Sequence, residues 1–358
     1  AAPGAAGSLG ANKNIVVDGV VPTVSGVTSS NANGTYKVGD AISIQIGFSE
    51  AVTVTGTPQL TLETGVTDRV INYSSGSSTS ALTFAYVVQA GDDSADLDYL
   101  SVAALSANGG SVRDAAGNNA TLTLASPGSA GSLGANKDIV IDGMAPTVTG
   151  VTSSNANGTY KIGDVVSIQI DFAEAVTVTG TPTLTLNSGG TASYASGSGG
   201  NTLTFNYTVQ AGHSASDLDY ASTSALALSG GTIQDSAGNN ATLTLAAPGA
   251  AGSLGANKNI VIDAVVPAVT SVTSSTANDT YKIGDVISIQ ISFAEPVTVT
   301  VTPTLALNSG GTASYTSGTG SNTLTFTYTA QAGHSAAALD YASTSAMALS
   351  GGTIQDSA

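Results

Sequence analysis

Residues 114–148 read DAAGNNATLTLASPGSAGSLGANKDIVIDGMAPTV, and residues 235–269 read DSAGNNATLTLAAPGAAGSLGANKNIVIDAVVPAV. The second half of this stretch opens the chain at 1–24, AAPGAAGSLGANKNIVVDGVVPTV, and its first three residues return in the form Asp356, Ser357, Ala358. The stretch reads as the end of one domain, a short linker containing an aspartate, and the first strand of the next. Pro22 to Pro146 spans 124 positions (146 − 22), and Pro146 to Pro267 spans 121 (267 − 146). So long a period means whole domains in series. The chain divides into 1–18, the last strand of a preceding repeat, then repeats at 19–142, 143–263 and 264–358. The third repeat lacks its final strand.

Within each repeat the apolar period is two. In ISIQIGF (42–48), Ile42, Ile44, Ile46 and Phe48 alternate with small or polar residues, and ALTFAYVV (81–88) and LTL (60–62) continue the pattern. Alternation of this kind marks strands with one buried face. The breaks fall at NANGTYKVGD, TGTP, SSGSS and QAGDD, all rich in turn formers. The three-residue difference in period lies between Leu62 and Gln89, where TGVTDRVINY becomes SGGTASY, and marks a surface loop. No segment keeps a helical period. About seven strands per repeat with regular turns predict an all-β chain of tandem immunoglobulin-like β-sandwiches.

Composition narrows the function. Acidic residues outnumber basic ones 24 to 8, for a net charge of −16. That excludes an electrostatic nucleic-acid binder and suits a cation ligand or plain solubility. Cysteine is absent, which rules out disulfides and thiolate metal sites. No apolar run is long enough to insert in a membrane. No nucleophile–histidine–acid set can be assembled, because the first repeat has no histidine, and His213 and His334 occupy equivalent loop positions in different repeats. They read as surface loop residues. The chain is expected not to be an enzyme. Tryptophan is also absent, which disfavours a carbohydrate-binding accessory module.

GTYKVGDAISIQIGFSEAV, LTFAYVVQAG, GGSVRDAAGN and IVIDGMAPTV together resemble the bacterial Ig-like tandem repeats of large calcium-dependent surface adhesins, and more broadly cadherin-like strings. The resemblance covers nearly the whole chain. It implies an extracellular, cell-surface role as Ca²⁺-stiffened stalk or extender repeats, whose partners are neighbouring repeats of the same polypeptide. One rival is a filament subunit assembled from neighbouring copies by strand exchange.

Following an immunoglobulin sandwich, Glu50 falls after the second strand, back beside the linker Asp18. GG at 109–110 is either a bulge in a continuous strand or a hairpin turn; the resemblance favours the bulge, which brings Asp114 and Asn118 to the same pole. The expected metal ligands are then Asp18, Glu50, Asp114 and Asn118 in repeat 1, Asp142, Glu174, Asp235 and Asn239 in repeat 2, and Asp263, Glu295 and Asp356 in repeat 3. Hard oxygen donors with no soft ones suit Ca²⁺.

The loops DDSADLDY, HSASDLDY and HSAAALDY drift between repeats while Asp98, Asp219 and Asp340 hold. These three are either further ligands or turn caps that bond backbone N–H groups. The segment PGSAGSLGANK (127–137) interrupts the last strand with no evident way of being accommodated. Residues 1–18 read either as part of a continuing array or as a strand that completes repeat 3 of another copy. The array is favoured, because GNNATLTL (238–245) reads as a strand that an exchanged segment beginning at Ala1 does not supply.

Overall fold

A computed structural model describes residues 1–356; Ser357 and Ala358, matched above to Ser236 and Ala237, lie outside them. The chain is all-β, 47% strand and 3% helix, and builds three similar curled antiparallel sheets. In the first unit the strands are β1 (Val24–Ser29), β2 (Gly34–Lys37), β3 (Ala41–Thr55), β4 (Gln59–Glu63), β5 (Arg69–Ser75), β6 (Thr79–Val87), β7 (Asp93–Ser94), β8 (Asp98–Tyr99), β9 (Leu105–Ser106), β10 (Ser111–Arg113) and β11 (Ile139–Asp142). The large sheet runs β1-β3-β6-β5-β4-β8, with β10 on β3 and β9 on β4; β2, β11 and β7 form a small second sheet.

The alternation seen in the sequence sets the register. Ile42, Ile44 and Ile46 of β3 lie opposite Tyr86, Phe84 and Leu82 of β6, and all six are buried. Tyr73 meets Phe84 edge-on at 6.2 Å. Each unit has its own apolar cluster, built on the equivalent residues. One expectation is corrected here. β3 does not end before Glu50 but runs fifteen residues, Ala41–Thr55, because the period-two pattern carries on through Val52 and Val54.

The glycine pair at 109–110 makes a turn between β9 and β10, which pair with β4 and β3 rather than with each other. Two reversals, 56–58 and 107–110, therefore lie one upon the other. A Cβ at Gly110 would overlap the Thr55 carbonyl oxygen, which is why glycine is needed there. The reversal still delivers Asp114 to Glu50, because β10 runs antiparallel to the far half of β3, with Arg113 opposite Thr53.

The segment 127–137 is accommodated as two turns and a short helix, α2 (Leu133–Asn136), capped by the Ser132 hydroxyl. It covers the free edge of β1. The Val27 N–H donates to the Gly131 carbonyl at 2.9 Å, and the Asn136 amide donates to the Val27 carbonyl at 2.8 Å. Leu133 plugs into the core. Covering an edge this way satisfies backbone groups that would otherwise invite pairing.

One further expectation is corrected. Residues 117–124 and 238–245 form no strand, only isolated bridges such as Thr23 to Thr121, although Leu124 and Leu245 are buried. Residues 15–18 are not in strand conformation among the described residues, while the same sequence as 246–258, at 1–13, forms the short helix α1 (Leu9–Asn12).

Candidate metal centre at the unit junctions

Glu50 occupies a core-facing slot in the row Phe48, Glu50, Val52 of β3 and is half-buried. Its Oε1 is buried and has no hydrogen-bond partner among the described residues. Asp18, at the entrance to the unit, and Asp114, just past β10, each bring a carboxylate oxygen to it; one oxygen from each of the three lies within 4.8 Å of the others. Asp263, Glu295 and Asp356 repeat this arrangement in the third unit, and there too the glutamate Oε1 is buried without a partner.

In the first two units the asparagine that follows ties the set to the linker. The Asp114 Oδ1 accepts the N–H groups of Gly117 (2.7 Å) and Asn118 (2.8 Å), and its Oδ2 accepts the Asn118 amide at 2.7 Å. That amide also reaches the carbonyl oxygens of Asp18 (3.2 Å) and Val20 (3.3 Å). Asn118 is thus a clamp that holds the linker, with its amide nitrogen engaged.

In the second unit the corresponding set is wider. Asn239 donates to the Asp142 carbonyl at 2.8 Å, but Asp142, Glu174 and Asp235 do not close to the 4.8 Å that the other two sets meet. Here the junction is also bridged directly. The Lys37 ammonium of the first unit donates to the Gly238 carbonyl of the second at 3.0 Å, and the Val38 N–H donates to the Asn239 Oδ1 at 3.2 Å.

The electrostatics follow from this crowding. Burial, then the charges of Asp18 and Asp114, raise Glu50 above the usual carboxylate range. Burial with Asp263 and Asp356 does the same to Glu295, and burial with Asp235 and Asp142 to Glu174. Burial also lifts Asp142, against the Met144 N–H and with Asp235 and Asp93. Asp114 goes the other way: burial opposes its ionisation, but the hydrogen bonds from Asn118, Gly117 and Ala116 together outweigh it.

Asp98 and Asp219 sit elsewhere. The Asp98 carboxylate accepts the N–H groups of Tyr99 and Gly128, both at 2.9 Å, and so pins the 127–137 segment to the loop. Asp219 does the same with Tyr220 and Gly249. Asp340 accepts the Tyr341 N–H at 2.8 Å. These bonds are the turn-capping role.

The histidines are more than loop surface. The Tyr207 hydroxyl lies 2.9 Å from His213 Nδ1, which also takes the Gln210 N–H. In the first unit Asp92 fills this place, accepting from Tyr86, Gln89 and Arg69, the last at 2.6 Å. The signal lay in the sequence, since Arg69 and Asp92 occur together in one repeat and are both replaced in the others.

No protein-family model matches the chain, and no curated protein matches it in sequence.

Proposed function

We propose that the chain is a length of extracellular stalk, three immunoglobulin-like sandwiches in series that Ca²⁺ stiffens at the junctions. In this reading β1-β3-β6-β5 takes the part of the A-B-E-D sheet, although the hydrogen-bonded order curls on from β5 into β4 without a break. β4, the broken segment 93–106 and β11 correspond to C, F and G. The observation that carries the metal reading is the buried, unpartnered Oε1 of Glu50 and Glu295, each beside two aspartates. A buried carboxylate oxygen without a partner is unfavourable unless something compensates it. A hard divalent cation compensates it, and the donor set fits Ca²⁺: carboxylates, with carbonyl oxygens of the linker close by.

Asp18 with Glu50 and Asp114, and Asp263 with Glu295 and Asp356, would hold the ion; Asp142, Glu174 and Asp235 would close on one from a wider start. The bound ion supplies positive charge that turns mutual repulsion into a bond between linker and unit. In its absence the like charges favour separation of linker from unit. Adhesion specificity then belongs to parts of a parent molecule other than these repeats. Small-angle scattering tests the stalk. The maximum dimension of the chain should be longer in millimolar Ca²⁺ than in chelator, and equal values under both conditions refute it.

A further inference from the structure

The carboxylate set at the middle junction is shared between two units. Asp142 ends β11, which belongs to the first unit: it runs parallel to β2 with Asp142 opposite Lys37, and antiparallel to β7 with Asp142 opposite Asp93. The next residue is tied to the same unit. The Gly143 N–H donates to the Asp92 carbonyl at 2.7 Å, and the Gly91 N–H donates to the Gly143 carbonyl at 2.9 Å. Glu174, on the strand Val165–Thr179, and Asp235 belong to the second unit. Whatever fixes the first unit on the second therefore fixes one carboxylate of this set relative to the other two.

Two contacts do so, and both end on the loop 235–239. The Lys37 ammonium donates to the Gly238 carbonyl at 3.0 Å, and the Val38 N–H donates to the Asn239 Oδ1 at 3.2 Å. The loop moves as one body with Asp235, whose Oδ1 accepts the N–H groups of Gly238 (2.7 Å) and Asn239 (2.8 Å). Gly238 has a φ of 92°, and a Cβ there would stand 3.1 Å from the Lys37 Nζ. Glycine thus serves both the turn and the approach of the ammonium.

Asn239 is where these ties meet. Its Nδ2 donates to the Asp142 carbonyl and to the Asp235 Oδ2, both at 2.8 Å, while its Oδ1 accepts the Val38 N–H. A side-chain amide carries its two N–H donors and its acceptor oxygen on one rigid plane. Here one side engages the linker and an expected metal ligand, and the other engages the preceding unit. The amide cannot turn toward one partner without releasing another. Asn239 is 5% exposed, so a released group finds little water to replace its partner.

We propose that Asn239 is a positioning residue for the cation site of Asp142, Glu174 and Asp235, and that the turn 37–40 of the first unit sets the affinity of that site by seating on the 235–239 loop of the second. The proposal rests on the Ca²⁺ reading of the junctions and adds that this site is controlled from the neighbouring unit. Its three carboxylates repel one another and stand wider than the other two sets. With the turn seated, Asp142 stays within reach of Glu174 and Asp235, and an ion closes a site already half built. With the turn released, Asp142 leaves with the first unit, and binding must first bring the units together. The coupling is reciprocal: the ion holds the turn on the loop by the same factor by which the turn strengthens the ion.

The test isolates this site in chain 1–358 carrying Glu50→Gln and Glu295→Gln, which silence the other two glutamate slots. In that background, calorimetric titration with CaCl₂ should show binding that Glu174→Gln abolishes. Lys37→Met keeps the alkyl stem, removes the donor and lies outside the carboxylate set. It should weaken that binding by about two- to tenfold, the range set by one hydrogen bond. Lys161→Met, in the corresponding turn of the second unit, which lies by Ile262 rather than by the loop 235–239, should leave it unchanged. The chain has no cysteine, so Ala85→Cys and Thr208→Cys, at exposed positions of the first and second units, take spin labels. The distance distribution between them should narrow when Ca²⁺ is added, and Lys37→Met should broaden it in chelator. Asn239→Ala should show both effects; a lower melting temperature with Ca²⁺ affinity intact would make Asn239 merely structural and overturn its role. If no binding is found before Lys37 is changed, the Ca²⁺ reading fails and the proposal with it. If Ca²⁺ binds but Lys37→Met binds it equally well, or Lys161→Met weakens it as much, the proposal alone is overturned.

Discussion

The metal reading makes a prediction in which one substitution changes sign with the medium. Glu50→Gln keeps the shape of the side chain and removes its charge. Extracellular Ca²⁺ modules bind at about 10⁻⁴–10⁻³ M, so ~10 mM Ca²⁺ adds about 1.4–2.7 kcal/mol per site to the folded state. For a unit of this size that raises the melting temperature by roughly 5–10 °C. In chelator the wild-type unit keeps a glutamate whose Oε1 is buried without a partner, within 4.8 Å of two aspartate oxygens. A neutral amide there is less costly to bury than a carboxylate, so Glu50→Gln should melt higher than wild type in chelator. In Ca²⁺ it should melt lower, because a ligand is gone. Differential scanning calorimetry of both proteins in both media reads the crossover. If wild type melts identically with and without Ca²⁺, or Glu50→Gln shifts the same way in both, the argument fails.

Three other outcomes follow from the packing and the charges. In chelator, stability should fall as pH rises above about 4.5 through the elevated range of Glu50, Glu174 and Glu295. The folded chain holds those protons longer than the unfolded one, so ionisation favours unfolding. Thermal melts across that interval should show the slope, and the triple glutamine variant should reduce it to what the raised Asp142 and Asp96 contribute. Asp114 contributes the opposite slope only below its ordinary value of 3.8. Leu254→Ala, at a fully buried position, should cost about 2–5 kcal/mol in the melting of the second unit. Leu9→Ala, in the identical but exposed segment, should leave the monomer within about 0.5 kcal/mol of wild type by denaturant unfolding. Arg69→Met strands the buried Asp92 carboxylate and should cost about 3 kcal/mol; adding Asp92→His, the solution of the other two units, should recover most of it, and a double variant no better than the single one would sink that reading.

What the sequence made legible was periodic. The repeat, the alternation in ISIQIGF and the turn formers at the breaks are local signals, and they yielded the β-rich units and the inward faces. Glu50 does lie beside Asp18 and Asp114, but not because a strand ends there. A charged residue in an apolar alternation reads as a strand end, whereas the strand here runs on through it for five more residues. A bulge and a hairpin at GG have opposite consequences for Asp114. Neither holds, because two stacked reversals bring Asp114 back while the chain still turns, and stacking of distant turns leaves no local trace. The 127–137 segment was opaque for the same reason: its helix is four residues long, and its role is to cover β1, more than a hundred residues away.

A glutamate in the core-facing row of a long strand is the hardest feature to explain by folding alone. Thr, Val or Gln at that slot would satisfy the sandwich without an uncompensated charge. The same slot is glutamate in every unit, and each is pushed toward its protonated form by its surroundings. The near-identity of the repeats makes that recurrence weak evidence in itself, but the geometry adds what recurrence cannot. The carboxylate lies where the linker enters, and in the first two units the asparagine clamp holds the linker carbonyls beside it. A fold that only needed a connector would gain from neutralising this corner. One that needs the connector rigid in Ca²⁺ and loose without it gains from keeping three like charges within reach of one another, with β3 carrying any movement at Glu50 directly into the row of Phe48 and Ile46.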